Sequence, residues 1–136
     1  MILVDTSVLI DFFKGRRNPG TDLFAEVIDR DIPFGLSAFS YQELLQGARD
    51  EREYKVLREY LDTQVIYYPP EDPGFYEKAA RLFFDLRRRG VTVRGSIDLL
   101  IALTAMENKL MLLHNDRDFE AVAAVTPDLK TLTILP

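Results

Sequence analysis

The chain has 136 residues, 47% of them apolar and 29% charged, and its 22 acidic against 17 basic side chains give a formal charge of -5. That length fits one domain with a sizeable core, and the acidic balance argues against a general coat for nucleic-acid phosphates, which needs basic surface. With no cysteine there is no disulfide framework, thiolate metal site or cysteine nucleophile.

The opening "MILVDTSVLIDFF" reads as a buried strand, Met1 to Val4, followed by Asp5 and a helix over Thr6 to Phe13 that Gly15 can end. No secretory leader is expected from it, no apolar run is long enough for a bilayer, and a cytoplasmic, soluble protein is expected. Asn18-Pro19-Gly20 marks a turn, and Thr21 is the expected cap of a helix with Leu23, Phe24, Val27 and Ile28 on one face. Pro33 to Leu36 is a second strand. Ser37 or Ser40 opens the next helix, near whose end lies Gly47. Glu51 to Asp62 is a charged amphipathic helix expected to turn Tyr54, Leu57, Tyr60 and Leu61 inward. Val65 to Tyr68 is a strand stopped by Pro69-Pro70. A helix runs from Pro73 to Arg89, and a nearly all-apolar one, capped by Ser96, runs to Asn108. Strand Leu110 to Leu113, a turn and short helix over Asn115 to Ala124, and a last strand at Leu132 to Leu135 complete the chain.

Short apolar strands alternating with helices imply an α/β fold on a parallel sheet, in a single domain over residues 1–136. Sites in such sheets form beyond the carboxyl ends of the strands. Asp5, Glu43 and Asp116 each fall at or near such an end, and Asp98 opens a helix that should pack on the same sheet. Each has an ordinary structural role available. Asp5 can cap a helix. Glu43 can complete a capping box from Ser40, unless the helix starts at Ser37. Asp116 can stabilise a turn, and Asp118 stands two residues beyond it. Asp98 is the hardest to explain so: the helix dipole favours it by only about 0.3–1 kcal/mol, against several kcal/mol for burying an uncompensated charge. Together, four carboxylates in one cleft would repel or share a proton. A hard divalent ion such as magnesium or manganese would relieve that, whereas one histidine and no cysteine argue against zinc. Phosphodiester hydrolysis is the chemistry this donor set suits best.

"LVDTSVLIDF", Glu43 in "SAFSYQELLQGA", Asp98 in "GSIDLLIALTA" and Asp116 in "LLHNDRDF" resemble, in order and over nearly the whole chain, the acidic motifs of PIN domains, above all VapC-like toxins. The resemblance implies a central parallel five-stranded sheet flanked by helices and a magnesium- or manganese-dependent endoribonuclease, the toxin of a toxin–antitoxin pair. It implies Asp5, Glu43, Asp98 and Asp116 as the catalytic and metal-binding set, with Thr6, Ser7, Asn115 and Asp118 in supporting positions. It also implies an RNA substrate, a cognate antitoxin whose tail enters the groove, and a homodimer. Arg94 and Arg117, near the acidic residues, are the favoured phosphate contacts over Arg16, Arg17 and the run Arg87 to Arg89. His114 is expected to be structural. Tyr41, Leu44, Leu45, Tyr54, Leu57, Tyr60 and Leu61 offer apolar surface either to the core or to a partner helix. Two competing readings are a receiver-like phosphoacceptor domain and a catalytically silent PIN-type binding module. The first needs a lysine just after a late strand, whereas Lys109 and Lys130 precede theirs. Clustered charge argues against the second.

Overall fold

The computed structural model describes residues 1–135. The opening apolar run forms β1 (Ile2–Val4), buried throughout because helices cover both faces of the sheet. The chain continues through α1 (Thr6–Phe13), α2 (Pro19–Asp29), β2 (Phe34–Ser37), α3 (Ala38–Gln46), α4 (Glu51–Leu61), β3 (Val65–Tyr67), α5 (Pro73–Arg88), α6 (Ser96–Glu107), β4 (Met111–Leu113) and α7 (Arg117–Val125). The sheet has four parallel strands in the order β3-β2-β1-β4. The chain thus builds outward from β1 on one side and returns to its other side with β4. This reversal opens a crevice at the carboxyl ends of β1 and β4.

The expected fifth strand is reduced to a single bridge between Thr131 and Leu112. Leu112 donates to Lys130 O and Leu132 donates back to Leu112 O, both at 2.8 Å. Beyond this bridge the apolar residues do not line one strand face: Leu132 is buried and Leu135 packs on the core, whereas Ile134 is 78% exposed.

Alternation along β1 divides the core. Leu3 joins Leu99, Ile101, Leu112 and Phe119 on the side of α6 and α7. Ile2 and Val4 join Val8, Phe24, Leu36 and Leu61 on the side of α1 and α2. A buried strand can supply both layers only because successive side chains point to opposite faces.

Helix starts differ from expectation in two places. Asn18, not Thr21, caps α2; Thr21 is the reciprocal member of its capping box, its hydroxyl accepting from the Asn18 N–H. Gly95 rather than Ser96 is the N-cap of α6, with no side-chain cap. Of the two possible starts of α3, Ser37 is the cap, which puts Glu43 in the second turn with no capping task. On α4, Leu61 is fully buried and Leu57 and Tyr60 half-buried, but Tyr54 points outward at 42% exposure, correcting the inward placement. Leu44 is core, and Tyr41 and Leu45 are half-buried. No helix among the described residues is long and apolar enough to cross a membrane.

Gly35 of β2 lies under the Tyr67 ring: a Cβ there would come within 2.6 Å of Tyr67 Cε2 and 2.9 Å of the Val65 carbonyl oxygen. Gly35→Ala should therefore destabilise the domain by about 1–3 kcal/mol despite removing a flexible residue from a strand. Urea unfolding checks this; equal or higher stability would mean that β3 yields freely.

Candidate active site

Asp5 leaves β1 with its backbone still paired, its N–H donating to Leu113 O at 2.9 Å. Its side chain is divided in use. Oδ2 caps α1, accepting from the Ser7 N–H (3.0 Å) and the Ser7 hydroxyl (2.6 Å). Oδ1 is buried and meets no donor. Burial pushes the Asp5 carboxyl up and the Glu43 charge adds to it, while the Ser7 bonds work against the rise. An unpartnered buried carboxylate oxygen costs free energy that ordinary capping does not explain.

Thr6 and the start of α3 hold Glu43. Thr6 Oγ1 donates to Glu43 Oε1 (2.8 Å) and is hydrogen-bonded to Ser40 Oγ (2.9 Å), which is in turn bonded to Ser37 Oγ (3.3 Å). Three hydroxyls, each with one proton, satisfy this chain when every donor points toward the carboxylate. In the sequence Ser40 stands out only as a possible helix start and capping-box residue, not as a site residue. Its signal was its place one turn before Glu43, on the same helix face.

Asp98 sits in the first turn of α6 and is half-buried. Burial, followed by the charges of Asp5, Asp116, Asp118 and Glu43, pushes it up to about 6. All four of these carboxylates therefore act on one group. Asp98, Asp116 and Asp118 are closest: each offers a carboxylate oxygen, and these oxygens lie within 4.8 Å of one another. Asp118, expected in a supporting position, stands in this tight group. Asp116 also caps α7 by accepting from the Asp118 N–H at 2.9 Å.

Asn115 turns away from Asp116. Its N–H donates to Ser7 Oγ (3.0 Å), and its side-chain amide donates to Asn18 Oδ1 (2.8 Å) and Asp11 Oδ2 (3.3 Å). It packs so closely on Gly20 that a Cβ there would collide with its amide. Asn115 thus ties the β4–α7 turn to α1 and α2 rather than orienting Asp116. His114 accepts from the Asp116 N–H through Nδ1 (3.1 Å) and packs against the Phe119 ring, and burial pushes its pKa down.

The arginines divide. Arg94 bonds the acidic group itself, Nη2 to Asp116 Oδ1 (3.1 Å) and Nε to Asp118 Oδ2 (3.2 Å). Arg117, the first residue of α7, is exposed. Arg16 pairs with Asp11 and Arg17 with Asp22. Arg87 and Arg88 lie over the Phe83 and Phe84 rings, and Arg89 donates to Val125 O.

The donor set is all oxygen, which suits a hard divalent cation, and the unpartnered Asp5 Oδ1 and the crowded charge on Asp98 are what such an ion would relieve.

Comparison with known proteins gives the same assignment along the whole chain. The PIN domain profile matches residues 2–125. Ribonuclease VapC1 of Methanocaldococcus jannaschii is 32% identical over 120 residues, covering 88% of this chain and 79% of its own. The VapC ribonuclease Mb1587 of Mycobacterium bovis is 28% identical over 127 residues, covering 93% and 94%. A toxin–antitoxin complex from Klebsiella pneumoniae contains a chain that superposes with a TM-score of 0.69 at 25% identity, over 96% of this chain and 97% of that one. With four strands at the core and the acidic residues at their carboxyl ends, the chain belongs to the PIN domain family and groups within it with the VapC ribonucleases.

Proposed function

We propose that this protein is a divalent-metal-dependent endoribonuclease, the toxin of a VapBC-type pair, inhibited by a protein antitoxin. The observation that carries the metal-dependent part is the meeting of Asp98, Asp116 and Asp118, whose carboxylate oxygens lie within 4.8 Å of one another. The RNA substrate is supported by the relatives named ribonuclease, and the antitoxin by the toxin–antitoxin complex that shares the fold.

Asp5, Asp98 and Asp116 would hold the cation, with Asp118 beside them and Glu43 at the rim. Magnesium or manganese, when bound, supplies a Lewis acid that polarises a phosphoryl oxygen and acidifies water. The rest falls to the chain's own groups. Ser7 fixes Asp5 through Oδ2 and leaves the buried Oδ1 without a partner. Thr6 and Ser40 fix Glu43, which can take a proton from the attacking water. Exposed Arg117 can meet the phosphate strand.

Asp98→Asn and Asp116→Asn should each abolish manganese-dependent cleavage of RNA while circular dichroism stays that of the wild type. Thr6→Val should keep cleavage but lower it by about 10–100-fold, as is usual for groups that orient a ligand. Wild-type rates in Asp98→Asn would remove that residue from the chemistry.

The same carboxylates make metal-free stability pH-dependent. Asp98 titrates near 3.8 when unfolded and about 6 when folded, so between these values the native state holds the extra proton. Stability is then greatest at the acid end and falls as pH rises through the window. Asp5, also raised, adds to the fall, whereas His114, lowered from 6.5, opposes it. Measured as wild type minus Asp98→Asn in chelator, the loss from pH 4 to 6.5 should be about 1 kcal/mol, after allowing for solvent screening of a half-exposed group. A difference that is flat with pH would show that Asp98 carries no crowded charge.

A further inference from the structure

Among the described residues, Arg94 is the cation bonded directly into the acidic group. Its two guanidinium bonds take Asp116 Oδ1 and Asp118 Oδ2, on two of the three carboxylates whose oxygens lie within 4.8 Å of one another. Its own N–H also donates to Asp118 Oδ2 at 3.1 Å, so its main chain is fixed at the rim. The side chain is nevertheless 77% exposed, against 22% for Asp116 and 14% for Asp118. An exposed arginine on half-buried carboxylates is weakly held, because solvent screens the pairs. A divalent ion drawn to Asp98, Asp116 and Asp118 brings twice the charge and competes with the guanidinium for two of these carboxylates.

From this geometry we propose that Arg94 is a resident counter-cation of the acidic group, which a divalent ion must displace in order to bind, so that Arg94 sets the cation affinity of the site. The proposal rests on the reading of this cluster as a cation site. Without the ion, Arg94 offsets part of the repulsion among Asp98, Asp116 and Asp118. With the ion bound, its side chain swings free on an anchored backbone.

The test is calorimetric titration of manganese into the full chain, with no RNA present, for wild type, Arg94→Gln, Arg94→Lys and Asp98→Asn. Arg94→Gln keeps the main-chain bond to Asp118 and loses only an exposed head group, so it should fold. It should bind manganese about five- to tenfold more tightly than wild type, the effect of removing two exposed ion pairs. Arg94→Lys, which keeps the charge but cannot fork to two carboxylates, should fall between them. In thermal melts, Arg94→Gln should be less stable than wild type in chelator and gain more from manganese. If Arg94→Gln binds manganese no more tightly than wild type while Asp98→Asn binds it more weakly, the counter-cation role is overturned and the cation site stands. If none of the four proteins binds manganese, the cation site itself fails and the role of Arg94 goes with it.

Discussion

Repulsion among carboxylates at one edge of the sheet is the constraint around which this domain is organised. Asp5, Glu43, Asp116 and Asp118 all press on Asp98, and burial removes the water that would otherwise screen them. Nothing in a minimal α/β fold requires this. The surrounding groups contain it by holding each carboxylate individually: Ser7 on Asp5, Thr6 on Glu43, Arg94 on Asp116 and Asp118. Asp98, in the first helical turn where the dipole favours an anion, has the least direct support, and its carboxyl is pushed up to about 6.

The rigidity needed to keep like charges together comes from the fully buried strands behind them. Leu3, Val4 and Leu112 are 0% exposed and Leu113 is 1% exposed, so the ends of β1 and β4 have little freedom to splay. The sheet reversal at β1 then does the rest, placing the end of the first strand beside the end of the last. Destabilisation at the site is thereby supported by packing elsewhere, the usual division between function and stability in a marginally stable domain.

Much of this was legible in the chain. Apolar runs gave the strands, and acidic residues just past them gave Asp5, Glu43 and Asp116, because a buried strand admits a charge only at its edge. Asp98 stood out as a charge within an otherwise apolar helix. What was not legible depends on side-chain direction. Asp116 and Asp118 share residue type and turn, and only the fold shows both beside Asp98. Asn115 adjoins Asp116 in sequence yet bonds to α1 and α2. Arg117 is the nearer of the two to acidic residues in sequence, yet it is Arg94 that bonds Asp116 and Asp118, which only three dimensions show. The fifth strand shrank to one bridge, which a short tail with apolar Leu132, Ile134 and Leu135 cannot reveal on its own.

The bond from Asn115 to Ser7 joins positions 108 residues apart. It links the first turn of the molecule to the turn that delivers Asp116, and Asp5 depends on the same serine. During synthesis, β1 leaves the ribosome long before its neighbour β4 exists. Until then the first strand has an open edge, Ser7 lacks its distant partner, and the acidic group is missing two of its members. A growing or truncated chain that ends before residue 116 thus has the beginning of the crevice and lacks Asp116 and Asp118.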